Sequence, residues 1–205
     1  MMYCAEDSSV GLIGSKGKGM SPRNLLSSTI TDQLVLANGA TSRVIGLSSK
    51  DRGAVLPAGH MAKGAYWYNS KTGQLQSSTW YGNKLPEWVE AFNKEGRALQ
   101  YLDQVWQPLL PLSSYHNLRL ADNNHYEGGL KKGEPAEFPY DLKKLQEEKG
   151  YSLLNFTPYG NSFLIEAALA AIQAESLGKE GYRDFLCLSF SATDYVGHLF
   201  GPQSI

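Results

Sequence analysis

The run DFLCLSF at Asp184–Phe190 decides the fold class of this 205-residue chain. A nearly continuous apolar segment of this length predicts a strand that is covered on both faces, as in the centre of a parallel sheet. Residues 161–177 precede it and carry an apolar stripe at helical spacing, which Gly178 ends. A helix followed by a buried strand is typical of an α/β unit.

A second run, RVIGLS at Arg43–Ser48, has the same character and predicts another short buried strand. It also follows a helical pattern, which we expect to begin at Ser21-Pro22 and to end at Asn38-Gly39. Two helix–strand units indicate an α/β fold with a mainly parallel sheet and helices on both faces. We therefore expect both runs to be strands of one sheet.

The other segments are predicted to complete one domain over residues 1–205. A hairpin is expected at residues 64–81 and a short helix at residues 85–94. Prolines interrupt residues 97–150, which we interpret as an irregular insertion over the main sheet that ends in a charged helix at Asp141–Lys149. The glycine-rich residues 11–21 lack the spacing of a nucleotide-binding fingerprint and are interpreted as a mobile loop.

Composition excludes several classes of partner. The net charge of −1 provides no broad basic face for nucleic acid or for a membrane surface. No apolar run approaches the roughly 18 residues that cross a bilayer, and the first residues lack the pattern of a signal peptide. Cys4 and Cys187 each lie in a short apolar segment, which favours buried free thiols and leaves a disulfide open.

The strongest chemical pattern is DYVGHLFGP, which begins at Asp194 just after the Asp184–Phe190 strand. Open α/β sheets bind their ligands at the carboxyl ends of the strands. Asp194 and His198 are four positions apart, on one side of a helical turn, where a carboxylate and an imidazole can hold one zinc ion. A capping Asp and an exposed His give the same spacing, but the strand and the trailing Gly-Pro favour a metal.

The second pattern, SSKDRG, follows the Arg43–Ser48 strand and contains Lys50 and Arg52. In an extended backbone these two side chains point to the same side. An arginine fork and a mobile lysine charge together suit an anion with several oxygens. A solvated loop, in which Asp51 pairs with one of its neighbours, is the alternative.

The other histidines are less informative. His60 follows a Pro-Ala-Gly turn and is interpreted as structural, whereas His116 and His125 lie in the predicted insertion. Residues 122–127, DNNHYE, contain groups that bind cations, although a polar surface turn is the simpler interpretation.

Four stretches together resemble the zinc-dependent phosphatases of the alkaline phosphatase superfamily, especially the phosphate-irrepressible alkaline phosphatase group. That group is related to type I phosphodiesterases and nucleotide pyrophosphatases. The stretches occur in the family's order and span nearly the whole chain: MSPRN at 20–24, SSKDRGAVLPAGH at 48–60, residues 65–81 with LPEWV at 85–89, and residues 189–202. The Asp-x-x-Gly-His-x-x-Gly-Pro pattern is shared by several related branches, whereas Lys-x-Arg after the earlier strand resembles the phosphatase branch in particular.

The resemblance implies specific roles for the two residue pairs. Asp194 and His198 would be two ligands of one of two zinc ions, and Lys50 and Arg52 would contact the phosphoryl oxygens. The family hydrolyses phosphate monoesters through a covalent phosphoenzyme, in which a Thr or Ser attacks phosphorus. Its enzymes are periplasmic or secreted, and small phosphate esters are their partners.

The resemblance also implies that other parts of the enzyme are missing. The family's nucleophile and an N-terminal zinc-binding Asp match positions before Met1, and further zinc ligands match positions after Ile205. We therefore expect an internal segment that lacks N- and C-terminal parts and is inactive alone. A segment of a zinc phosphodiesterase, nucleotide pyrophosphatase or sulfatase, and a non-catalytic domain with the same fold, are the alternatives.

Overall fold

The computed structural model describes residues 3–115, 127–131, 133, 135–179, 181–201 and 204. The strands in chain order are β1 Leu12–Ile13, β2 Val44–Ser48, β3 Gly64–Asn69, β4 Gln74–Ser78, β5 Val105–Trp106, β6 Tyr140–Asp141 and β7 Phe185–Ser189. The α-helices are α1 Ile30–Ala37, α2 Asp51–Ala58, α3 Glu87–Lys94, α4 Arg97–Leu102, α5 Leu142–Lys149, α6 Tyr159–Ala174 and α7 Ala192–Phe200. Short 3-10 helices cover Leu112–Tyr115 and Gly150–Phe156.

The main sheet has five strands in the order β1-β4-β3-β2-β7. Strand β2 pairs in parallel with β3 and with β7, and β4 pairs antiparallel with β3 and with β1. Four strands therefore run in one direction and only β4 runs in the other. This confirms the predicted α/β fold with a mainly parallel sheet, and it places both predicted strands side by side in that sheet. The prediction that β7 is covered on both faces is wrong, because β7 is the last strand of the sheet in the described part of the chain and only its Cys187 is buried.

Helices cover both faces of the sheet because successive residues of its central strands point to opposite sides. Ile45 and Leu47 of β2 face a large cluster that contains residues of α3 and α6. Val44 and the β3 residue Trp67 face a smaller cluster that contains residues of α1 and α2. The near-continuous apolar character of β2 follows from this double burial.

Helix α2 lies very close to β2. A Cβ atom at Gly46 would be only 2.1 Å from the carbonyl oxygen of Ala54, so glycine is required there. The neighbouring Gly53 also lies close to the strand, since a Cβ atom there would be 2.5 Å from the Ser48 hydroxyl oxygen. This close contact fixes the start of α2 relative to the end of β2, which is where the candidate site lies.

The first predicted helix begins later than expected. Helix α1 starts at Ile30 rather than at Ser21, because Thr29 caps it and forms a reciprocal capping box with Asp32. The Ser21 hydroxyl instead donates to the buried Asp7 carboxylate at 2.6 Å. The glycine-rich segment also differs from the expected loop, since its residues Leu12–Ile13 form β1 and extend the sheet.

The region predicted as an irregular insertion contains more regular structure than expected. It includes α4, the short antiparallel pair β5–β6 and α5, which confirms the charged helix that ends it. Whether residues 97–150 are an insertion stays a prediction. Both cysteines are free thiols, and Cys187 is buried as expected, whereas Cys4 is exposed. In the residues that the structure describes, no helix is long and apolar enough to cross a membrane.

Candidate active site

The candidate site lies where the carboxyl ends of β2 and β7 meet, because these strands are parallel neighbours. Lys50 occupies the N-cap position of α2, and Arg52 lies in the first turn of that helix. The extended backbone on which the argument for these two side chains depended holds at Lys50 but not at Arg52, since the helix begins at Asp51. Both side chains nevertheless line the same pocket.

Tyr3 and Asp51 hold the Arg52 side chain. The Arg52 guanidinium donates to the Tyr3 hydroxyl oxygen at 3.3 Å, and the Tyr3 hydroxyl donates to the Asp51 carboxylate at 2.5 Å. Asp51 also accepts from the Arg52 backbone N–H at 2.5 Å. Burial, together with the hydrogen bond to Asp51, raises the pKa of Tyr3, so Tyr3 keeps its proton and the donor direction is fixed.

Asp194 and His198 come together on α7, one turn apart. The Asp194 carboxylate and the His198 Nε2 atom are 3.4 Å apart, as the four-residue spacing predicts. The Lys50 ammonium donates to the other Asp194 oxygen at 2.6 Å and lies 4.5 Å from the centre of the Tyr195 ring. One lysine thus joins the two predicted pairs into a single site.

The electrostatics of the site centre on the Asp194 carboxylate. The Lys50 hydrogen bond and charge lower the pKa of Asp194, and the nearby Arg52 guanidinium lowers it further. The carboxylate is therefore ionised at neutral pH, as a metal ligand must be. Because the Asp194 side chain is 51% exposed, its ion pair with Lys50 is screened by solvent.

The two α7 residues fit a zinc ion as part of a ligand set. Bonds of about 2.0 Å in tetrahedral geometry separate two ligand atoms by about 3.3 Å. The 3.4 Å between the Asp194 oxygen and His198 Nε2 matches that separation. Among the described residues, however, no group of three His, Cys, Asp or Glu side chains is arranged to hold a metal. The donors present are therefore suitable in kind and geometry, but two in number.

An open pocket of about 520 Å³ extends from this site along the edge of the sheet. Lys50, Arg52 and Tyr195 line one part of it, and residues that follow β1 and β3, including Lys16 and Lys71, line another. Four strands, β1, β2, β3 and β7, end at this edge, so the residues that follow them can line one pocket.

Sequence reasoning missed the supporting residues. Tyr3 is 48 positions before Asp51, and no local pattern links the two. Tyr195 sits inside the DYVGHLFGP stretch and was passed over beside its charged neighbours. His60, in contrast, is structural as expected, because its Nδ1 atom lies 3.0 Å from the buried Asp32 carboxylate. His116, His125 and residues 122–126 lie outside the described residues.

Comparison with known proteins identifies the family. The chain is 48% identical to alkaline phosphatase PhoV of Synechococcus elongatus and 42% identical to alkaline phosphatase PafA of Elizabethkingia meningoseptica, and each match covers 100% of this chain. The crystal structure of wild-type PafA superposes with a TM-score of 0.94 over 99% of the chain. The chain belongs to the alkaline phosphatase superfamily. No protein-family profile matches it.

The chain spans 37% to 38% of the length of these curated relatives. A protein of Myroides odoratus named calcium-transporting ATPase is 49% identical over the whole chain, which is 38% of that protein. A second PafA structure, with a TM-score of 0.94, is a variant in which a threonine, an asparagine, a lysine and an arginine are replaced. That lysine and arginine are two positions apart, which is the separation of Lys50 and Arg52.

Proposed function

We propose that the protein is a zinc-dependent phosphatase that hydrolyses phosphate monoesters through a covalent phosphoenzyme. In this proposal Lys50 and Arg52 bind the phosphoryl group, and Asp194 and His198 are ligands of one of two zinc ions. The remaining ligands and the hydroxyl nucleophile belong to other parts of the same enzyme. Alkaline phosphatase relatives at 42% and 48% identity support the family's chemistry for this chain.

The single observation that carries the proposal is the convergence of the two pairs. Lys50 bonds to Asp194 at 2.6 Å although the residues are 144 positions apart in the chain. A phosphoryl group that binds to Lys50 and Arg52 therefore lies beside the candidate metal ligands. Such a geometry suits phosphoryl transfer, in which catalysis depends on positioning and on stabilising charge at the transferred group.

Each residue has a distinct task in this proposal. The Arg52 fork binds two phosphoryl oxygens and keeps its orientation through Tyr3. Lys50 adds a point charge that moves from Asp194 to the substrate when the carboxylate binds metal. Zinc would activate the attacking hydroxyl and stabilise charge on the leaving oxygen. Asp194 and His198 contribute by holding their donor atoms at a separation that zinc accepts.

The names of the relatives agree on the reacting bond. A phosphatase and an ATPase both transfer a phosphoryl group. Enzymes of either kind need an anion site beside the reacting centre. A periplasmic or secreted location remains part of the proposal and rests on the family alone. The proposed substrates are small phosphate esters, with neither nucleic acid nor membrane as a partner.

The test is to compare monoester with diester hydrolysis by an Arg52→Ala variant of the protein expressed from its complete reading frame. Hydrolysis of an aryl phosphate monoester should fall by about 10²–10³, the usual cost of one oriented charged contact in the transition state. Hydrolysis of the matched aryl diester should fall less, because one of the oxygens that Arg52 meets is esterified and carries less charge.

Arg183→Ala is the matched control, since Arg183 is exposed and does not line the pocket. Zinc content and the unfolding midpoint should be unchanged in both variants. An equal loss on monoester and diester would refute the role of Arg52. Absence of ester hydrolysis by the zinc-loaded unsubstituted protein would refute the proposed function.

A further inference from the structure

The pocket as a whole carries more positive charge than one phosphoryl group requires. Four cations line the whole pocket, Lys16, Lys50, Arg52 and Lys71, against one carboxylate, Asp51, so the difference is +3. The chain as a whole has a net charge of −1. Positive charge is therefore concentrated in this pocket, and a concave cationic wall focuses the field on an anionic ligand.

The distal cations differ from the proximal ones in their partners. Lys50 is paired with Asp194, and Arg52 is bonded to Tyr3. Lys16 and Lys71 have no ion-pair partner in the part of the chain that the structure describes. Asp51 forms no ion pair with either lysine among the described residues, and its Oδ1 atom accepts from the Tyr3 hydroxyl and from the Arg52 backbone N–H.

Sheet topology explains how the distal cations reach the same pocket. Lys16 follows β1, Lys71 follows β3 and Lys50 follows β2, and these three strands run in the same direction. Neighbouring strands are about 4.8 Å apart, so β3 ends about 5 Å and β1 about 14 Å from the end of β2. The pocket therefore continues from the phosphoryl-binding pair across the ends of β3 and β1.

The pocket volume also exceeds the need of a single phosphoryl group. Its volume of about 520 Å³ lies within the range of roughly 300–1,000 Å³ that holds whole small-molecule ligands. Its polar lining includes Asn69 and Gln76, whose side-chain amides bond to each other at 2.9 Å. A negatively charged leaving group in this pocket would meet both the side-chain amides and the lysine ammonium groups.

We propose that Lys16 and Lys71 form a distal subsite for a second phosphoryl group, so that the enzyme prefers substrates with an oligophosphate or a further phosphate in the leaving group. The inference rests on the proposed function, because it takes Lys50 and Arg52 as the binding site of the transferred group. It adds a determinant of specificity that acts on the leaving group and leaves the reacting phosphorus untouched.

The experiment compares inorganic tripolyphosphate with phenyl phosphate as substrates of the zinc-loaded protein expressed from its complete reading frame. Combined Lys16→Gln and Lys71→Gln substitution should lower kcat/KM for tripolyphosphate about tenfold, the lower end of electrostatic focusing effects. The same variant should hydrolyse phenyl phosphate as well as the unsubstituted protein, because the phenyl group carries no second phosphoryl group that Lys16 and Lys71 could bind.

Combined Lys94→Gln and Lys179→Gln substitution is the control, since both lysines are exposed, lie outside the pocket and remove the same net charge. It should leave both activities unchanged. An equal tripolyphosphate loss in both double variants would show a diffuse charge effect and overturn the subsite. So would an equal loss on both substrates, or no loss at all. If the unsubstituted protein hydrolyses neither substrate, the proposed function itself fails.

Discussion

The two strand–helix units that build the candidate site, β2–α2 and β7–α7, are packed very differently. All five residues of β2 are buried, whereas β7 is the last strand of the sheet in the described part of the chain and leaves Phe185 exposed. The Lys50 side chain is 22% exposed, while the His198 side chain is 82% exposed. Strand β2 and the Lys50 side chain are therefore largely enclosed, whereas Arg52 and the unit with the metal-ligand candidates face solvent.

The Lys50–Arg52 pair and the Asp194–His198 pair therefore depend on different parts of the structure. The position of Lys50 and Arg52 is fixed by contacts within this chain, including the close approach of α2 to β2 at Gly46. Asp194 and His198 have the right separation through helical spacing alone, and few side chains enclose them. The anion site should then form without metal, whereas a tight metal site needs further ligands.

The largest expected effect is on zinc binding by the 205-residue chain itself. Catalytic zinc sites use three protein ligands, and two ligands should leave the affinity at least about 100-fold weaker. After dialysis, elemental analysis should find well under one equivalent of zinc, and an aryl phosphate should not be hydrolysed. Calorimetry should still detect phosphate binding that Arg52→Ala weakens. Two tightly held zinc ions with robust turnover would contradict this prediction and show that the metal site is complete within these 205 residues.

A matched pair of core substitutions tests the packing difference directly. Leu47 and Leu188 are register partners on β2 and β7. Leu47→Ala should lower the free energy of unfolding by about 3 kcal/mol, since Leu47 is fully buried. Leu188→Ala should cost about 1 kcal/mol, because Leu188 is only partly buried. Urea unfolding measures both, and equal losses would show that the two units are equally well packed.

Acid stability should separate buried from exposed carboxylates. Burial by itself would raise the pKa of Asp32, but hydrogen bonds from Thr29, His60 and Met61 lower it to about 2. The charged form is thus favoured in the folded state. The resulting stability, roughly 2 kcal/mol, is complete above about pH 4 and is lost as pH falls towards 2.

Asp32→Asn should therefore flatten the decrease in unfolding free energy between pH 4 and pH 2. Asp194→Asn is the comparison, because its carboxylate is 51% exposed and its ion pair is weak in water. That variant should follow the unsubstituted protein over the whole range. A steeper acid dependence on Asp194 than on Asp32 would mean that the β7–α7 unit is the better enclosed one.

The smallest expected effect concerns the positioning of Arg52. Tyr3→Phe removes the hydroxyl that joins Arg52 to Asp51 and should raise the dissociation constant of phosphate about fivefold, equivalent to one hydrogen bond of about 1 kcal/mol. Tyr81→Phe is the control, since the buried Tyr81 hydroxyl has no hydrogen-bond partner in the described structure. Titration calorimetry should show no change for Tyr81→Phe, and an unchanged Tyr3→Phe variant would contradict the positioning role.

Much of the fold could be predicted because strong local patterns specify it. The apolar runs became β2 and β7, and the apolar stripe of residues 161–177 became α6. Apolar character and burial coincide in β2, whereas in β7 only Cys187 is buried. The start of α1 could not be predicted in this way. Ser21 and Thr29 are both good N-cap residues. Thr29 caps α1, whereas the Ser21 hydroxyl donates to Asp7, which lies in another segment of the chain.

The sequence by itself determined which residue types follow each strand and that Asp194 and His198 share one face of a helix, because helical spacing is a local property. Only the tertiary structure decided that Lys50 meets Asp194 and that Tyr3 holds Arg52. It also decided that Lys16 and Lys71 line the same pocket. These contacts join distant segments through strand order and direction, and strand order depends on packing between elements that no local pattern encodes.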